Sequence, residues 1–113
     1  MFKRDYKLFF EDIIEAIEKI KQYTNNISYN EFIKDNRTKD AVIRNIEIIG
    51  EAANNIPEYI KNQYPEIEWH KIIGMRNRLI HAYFGIDYQI VWNIITKQII
   101  EFQIKIRKIL TNE

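Results

Sequence analysis

Lys3-Arg4-Asp5-Tyr6-Lys7-Leu8-Phe9-Phe10-Glu11-Asp12-Ile13-Ile14-Glu15-Ala16-Ile17-Glu18-Lys19-Ile20-Lys21-Gln22-Tyr23-Thr24 is the stretch from which the fold class is read. Tyr6, Phe10, Ile13, Ile17 and Ile20 recur at alternating steps of four and three, with charged residues on the other side. That spacing predicts an amphipathic helix over 3–24. Thr24-Asn25-Asn26 ends it, because those side chains compete for backbone hydrogen bonds.

The same period carries through the rest of the chain. Ser28, with Glu31 three positions on, forms a capping box for a short helix over 29–34. Asp35-Asn36-Arg37-Thr38 reads as a polar connection. A third helix is expected over 39–54, with Val42, Ile43, Ile46, Ile49 and Ala53 on one stripe. Gly50 lies inside it; glycine there costs about 1 kcal/mol against alanine, which points to a close helix crossing. Pro57 suits the first turn of a short helix over 57–63, and Pro65 separates that from the next element. A fourth long helix is expected over 67–83, with Trp69, Ile72, Ile73, Leu79 and Ile80 towards the core. Phe84-Gly85 stops it, Gly85 being able to take a left-handed cap. The last helix, over 87–110, carries Val91, Ile95, Ile99, Phe102, Ile106 and Ile109. No stretch alternates as a strand does. The expected architecture is an all-α, up-and-down bundle of four principal helices plus short ones, a single domain over 1–113.

Composition narrows the function classes. With 46% hydrophobic and 29% charged residues, 3 Gly and 2 Pro, the chain is neither a disordered tail nor a loop-rich scaffold. A net charge of +1 gives no global pull on nucleic acid, so any such binding must be local. Zero cysteines exclude disulfides and thiolate metal sites, which fits a cytoplasmic protein. Met1-Phe2-Lys3-Arg4-Asp5-Tyr6 has no apolar run before the acids, so no signal peptide is expected. Charges interrupt every apolar window short of a membrane span.

Chemistry concentrates in Arg76-Asn77-Arg78-Leu79-Ile80-His81-Ala82-Tyr83, inside an acid-free run from Trp69 to Ile86 that also holds Lys71 and His70. An imidazole titrating near neutrality can move a proton at a ribose 2′-OH or a leaving 5′-oxygen. A guanidinium can bind phosphate with two donors and stabilise charge building on it. Arg76 and His81 are thus candidates for metal-independent RNA cleavage, with Asn77 and Arg78 as phosphate-binding support. Such cleavage would leave a 2′,3′-cyclic phosphate and a 5′-hydroxyl. No metal site and no cofactor are expected, the two histidines lacking a matched carboxylate pattern.

On an ideal helix Arg76 and His81 stand about 140° apart, whereas Asn77 and His81 share a face. Convergence would need the helix to fray near His81, or a second copy of the chain to complete the cleft. The octet alone leaves a second reading open: His81 as a helix-end histidine offsetting the dipole, with Arg76 and Arg78 as solvated face residues. His70 reads as a surface residue. Glu51 reads either as an exposed helix charge or as a buried partner for Arg76 or Arg78.

The octet has the form Arg-x4-His-x-Tyr with a polar residue directly after the arginine. Together with Ile49-Gly50-Glu51-Ala52-Ala53, and with Phe32-Ile33-Lys34-Asp35 followed by Asp40-Ala41-Val42-Ile43-Arg44, it closely resembles the HepT-like family of the HEPN superfamily, small all-helical ribonuclease toxins. The likeness covers nearly the whole chain. It implies a homodimer, with higher oligomers open, in which Arg76 and His81 of both copies line one cleft. It also implies a type VII-like toxin–antitoxin pair, whose antitoxin is a minimal nucleotidyltransferase (MNT) that transfers AMP from ATP to the motif tyrosine, here Tyr83. The rival reading is a non-catalytic helical partner that positions a substrate or nucleotide for a nucleotidyltransferase. A bare helical dimerisation module is a third.

Overall fold

In a computed structural model of the chain, residues 5–81 and 85–112 are described, without the side chains of Arg76, Leu79, Ile80, His81 and Asn112. The first helix, α1 (Tyr6–Tyr23), starts where the Asp5 side chain accepts from the Lys7 N–H at 3.0 Å. It buries Phe10, Ile13, Ile17 and Ile20 completely. Each such side chain contributes about 1.5–3 kcal/mol of transfer free energy. Then come α2 (Tyr29–Lys34) and α3 (Asn36–Asn55). Ser28 and Glu31 close the expected capping box on α2, at 3.1 and 3.0 Å.

Helix α3 begins earlier than its apolar stripe predicts. The segment 35–38 is its cap and first turn rather than a connection. The Asp35 carboxylate accepts from both the backbone N–H (3.1 Å) and the hydroxyl (2.6 Å) of Thr38. Its inner face, Val42, Ile46, Ile49 and Ala53, is buried, and α3 packs most extensively on α1.

Helix α4 (Glu58–Gln63) follows Pro57, which stands at the cap position. The expected helix over 67–83 is instead broken into α5 (Trp69–Ile73) and α6 (Met75–Leu79), joined at Gly74. Gly74 itself sits at φ −83°, ψ 0°, too flat to carry an ideal α-helix through. Trp69 anchors α5: its indole N–H donates to the carbonyls of Lys61 and Tyr64, both at 3.2 Å. Its ring packs on Phe10 of α1 and on Phe102 near the chain's end. Gly50 supports the inferred crossing. A methyl group there would lie 3.4 and 3.5 Å from the Ile73 and Ile72 carbonyl oxygens, so α3 passes close under α5.

After Leu79 the backbone extends. Strand β1 (Ile80–His81) pairs antiparallel with β2 (Gly85–Ile86), matching Ile80 with Ile86 and His81 with Gly85. No strand was expected here, and two residues per strand are too few to generate an alternating pattern. Gly85 is left-handed at φ 78°, as expected of it, but inside the hairpin rather than at a helix cap. Asp87 then caps α7 (Tyr88–Asn93), accepting from the Gln89 and Ile90 N–H groups. The chain continues through a π-helical turn (Ile94–Gln98) into α8 (Ile99–Asn112). In that turn the Ile99 N–H reaches back five residues to the Ile94 carbonyl, and the Thr96 hydroxyl donates to the Trp92 carbonyl at 2.7 Å. Such hydroxyl back-bonding bends helices. The architecture is the expected all-α bundle, with a kinked third limb and a bulged fourth. Among the described residues, no helix is long and apolar enough to cross a membrane.

Candidate functional site

The described part of the octet spans two local conformations. Arg76, Asn77 and Arg78 ride on α6; Ile80 and His81 form β1; Tyr83 lies outside the described residues, as do the side chains of Arg76 and His81. His81 therefore does not continue the helix that carries Arg76. The helical relation expected between Asn77 and His81 does not hold, because the backbone leaves the helix before His81. The 140° that a straight helix would impose between Arg76 and His81 is lifted by the same break.

Asn77 and Arg78 are exposed and face different clefts. Asn77 looks towards α3, lining a cleft of about 370 Å³ with Glu47, Gly50, Glu51, Asn54 and Ile73. Glu51 is exposed there, and the Arg76 side chain, the partner in the other reading, lies outside the described residues. Its cleft is that of Asn77, directly after Arg76. Arg78 looks the other way, lining a cleft of about 280 Å³ with Lys71, Asn93, Lys97 and Gln98 among others. Its guanidinium donates to the Gln98 side-chain oxygen at 2.7 Å, so Glu51 is not its partner. Adjacent residues on a helix point about 100° apart, and this is what sends the two to opposite walls.

His70 is exposed, as expected, on α5 beside Lys61 and Trp69 in a third cleft. Lys71 forms a 2.6 Å ion pair with Glu68. That hydrogen bond, reinforced by the ammonium charge, holds the Glu68 carboxyl below its ordinary range. Among the described residues, no group of three His, Asp or Glu side chains is placed to hold a metal.

Gln98 is the residue that sequence reading missed. It sits in the π-turn, and its one trace in the sequence is the drift of Val91, Ile95 and Ile99, which advance by four twice running where α1 alternates four and three.

A helical bundle whose third limb breaks off into a hairpin carrying a basic, histidine-bearing octet defines a class of small all-α proteins. Comparison with known proteins gives the family. The family model described as "Ribonuclease HepT-like" matches residues 13–109. "Probable ribonuclease HepT" of Thermococcus cleftensis is 45% identical over 107 residues, covering 95% of this chain and 97% of the relative. A protein of Methanocaldococcus jannaschii named "Putative RNase" is 43% identical over 99 residues, 88% of this chain and 82% of its own. A protein of Caldanaerobacter subterraneus with the same printed description is 37% identical, over 93% and 94%. No solved structure matches the chain. The chain belongs to the HepT-like ribonuclease family.

Proposed function

We propose that the protein is the toxin of a toxin–antitoxin pair, a cytoplasmic, metal-independent RNA endonuclease that uses Arg76 and His81 in a cleft shared by two copies of the chain. The observation that carries this reading is the break between α6 and β1. It puts the two residues, with four others between them, on different consecutive elements, within a chain of a ribonuclease family. His81 takes the proton from a ribose 2′-OH, whose oxygen attacks the adjacent phosphorus; as the bond to the 5′-oxygen breaks, that oxygen takes a proton from an imidazolium or from water. The guanidinium of Arg76 neutralises charge growing on the phosphoryl oxygens, and Asn77 steadies the phosphate or the imidazole. A 2′,3′-cyclic phosphate and a 5′-hydroxyl result.

Control comes from a cognate minimal nucleotidyltransferase acting on Tyr83. The phenolic oxygen attacks the α-phosphorus of ATP, pyrophosphate departs and the phenolic proton passes to base. AMP on Tyr83 brings bulk and negative charge against the two arginines, which repels RNA. The test combines two readouts. Intact mass after incubation with the partner and ATP should rise by one AMP in the parent and not in Tyr83→Phe. Cleavage of a single-stranded RNA by the unmodified protein should fall about 10²–10⁴-fold in His81→Ala. An unchanged rate in His81→Ala would sink the nuclease reading; absence of the adduct, with the partner active elsewhere, would sink the switch.

A further inference from the structure

Between α5–α6 and the π-turn with α8 runs a groove distinct from the Asn77 cleft. The 280 Å³ cleft that Arg78 lines continues into a smaller pocket of about 50 Å³, and Glu68, Lys71, Gln98 and Glu101 border both. Four cations line the combined groove, Lys71, Arg78, Lys97 and Lys105, against two carboxylates. In a protein whose net charge is +1, that is a local concentration. One carboxylate, Glu68, is already neutralised by Lys71 at 2.6 Å. The Lys105 ammonium donates to the neutral Glu66 carbonyl at 2.9 Å, and its charge reaches Glu68 only as a weaker contribution than that of Lys71.

Two features show how the groove is built. The π-turn carries Lys97 and Gln98 on its wall, and Gln98 holds the Arg78 guanidinium by a single donor. A guanidinium has five N–H donors, so most of the fork stays available for an anion. Lys97 is exposed and has no ion-pair or hydrogen-bond partner among the described residues. The groove also starts inside the octet, since Arg78 precedes His81 by three residues.

We propose that this groove is the track for the sugar–phosphate backbone of the RNA strand beside the scissile phosphate, with Arg78 and Lys97 contacting flanking phosphates and Gln98 positioning Arg78. The proposal rests on the nuclease reading for the location of the scissile phosphate. It adds the path of the strand, from the octet across the π-turn towards Lys105. Phosphate contacts made by lysine and arginine fix position without reading sequence. Glu101, the remaining carboxylate on the wall, opposes the strand.

The test is a charge series at two exposed positions, Lys97→Gln and Glu101→Gln, in the full-length protein. Binding of a labelled, fully 2′-O-methylated single-stranded RNA, which has no 2′-OH to react, is followed by anisotropy across a salt series. For Lys97→Gln the slope of log K against log salt should drop by about 0.7, the share of one phosphate contact on a single strand. Affinity should fall severalfold with it. Glu101→Gln should bind severalfold tighter than the parent, an opposite shift that damage to the fold would not produce. Equal binding by parent and both variants, or no binding by any, overturns the groove. Cleavage of the unmodified oligomer separates the two ideas. Parent cleavage with unchanged KM in both variants removes the groove and leaves the nuclease. Charge-dependent binding without any cleavage removes the nuclease and leaves the groove.

Discussion

Trp69 ties three parts of the molecule together through one side chain. Its ring lies on Phe10 and Phe102, while its N–H serves two carbonyls at the end of α4. Replacing it with phenylalanine keeps most of the apolar area and removes the donor, while the Lys61 and Tyr64 carbonyls keep the backbone N–H groups of Tyr64 and Ile67, both at 3.1 Å. The loss is then that of a net hydrogen bond, about 0.5–1.5 kcal/mol. Urea unfolding of Trp69→Phe should therefore give a lower midpoint at an unchanged m-value, followed by circular dichroism. A midpoint equal to the parent's would mean that the two bonds contribute nothing net. The cost would spread to α5, because this helix has only five residues and no side-chain cap of its own.

At the scale of elements, one residue of the β1–β2 pairing carries an unusual backbone angle. Gly85 sits at φ 78°, where an L-residue loses roughly 1–2 kcal/mol. Among the described residues nothing crowds the position, so Gly85→Ala isolates the strain. The variant should melt lower and cleave RNA more slowly than the parent, because His81 is paired with Gly85. Normal cleavage by a destabilised Gly85→Ala would uncouple the hairpin from the site. Helix existence, the α2 capping box and the Gly50 crossing were all legible in the sequence, because periodicity, caps and small residues act locally. The ends of the third limb were not. Leu79 and Ile80 fit a helical stripe as well as a strand, and only the pairing of Ile80 with Ile86 decides between them. The chemistry-bearing octet was legible by composition, but the opposite placement of Asn77 and Arg78 was not. That follows from how α6 is seated between α3 and the π-turn, which no local pattern records. Gln98 was hidden for the same reason, being an amide whose partner lies twenty positions earlier.

Across the whole molecule, the first and last helices are fastened by a polar cluster. Buried Gln103 accepts from the Lys21 ammonium and donates to Glu18, both at 2.6 Å, and Arg107 pairs with Glu18 at 2.8 Å. The Gln103 hydrogen bond and then that of Arg107 hold the Glu18 carboxyl below its ordinary 4.5. A carboxylate lowered on folding adds stability above its unfolded pKa and loses it as pH falls through the folded value. The parent's Tm should thus drop more between about pH 6 and pH 3 than that of Glu18→Gln. Parallel curves would remove Glu18 from the acid limb. The proposed shared cleft makes a further demand at this scale. Light scattering should return at least twice the chain mass of 13.8 kDa, and a monomer that still cleaves RNA would refute the shared site.

The two tryptophans stand at different places in this bundle. Trp69 is 8% exposed among α1, α4 and α8, whereas Trp92 is half-buried on α7, against Tyr29 and Phe32 of α2. The chain thereby carries two built-in optical gauges. Emission from Trp69 alone, in a Trp92→Phe background, reads the closure of the main seam. Emission from Trp92 alone reads the seating of α2, a six-residue helix held on by aromatic rings. Should α2 lift before the seam opens, the two emissions would part on heating, and the order in which the bundle comes undone could be timed without attaching a dye.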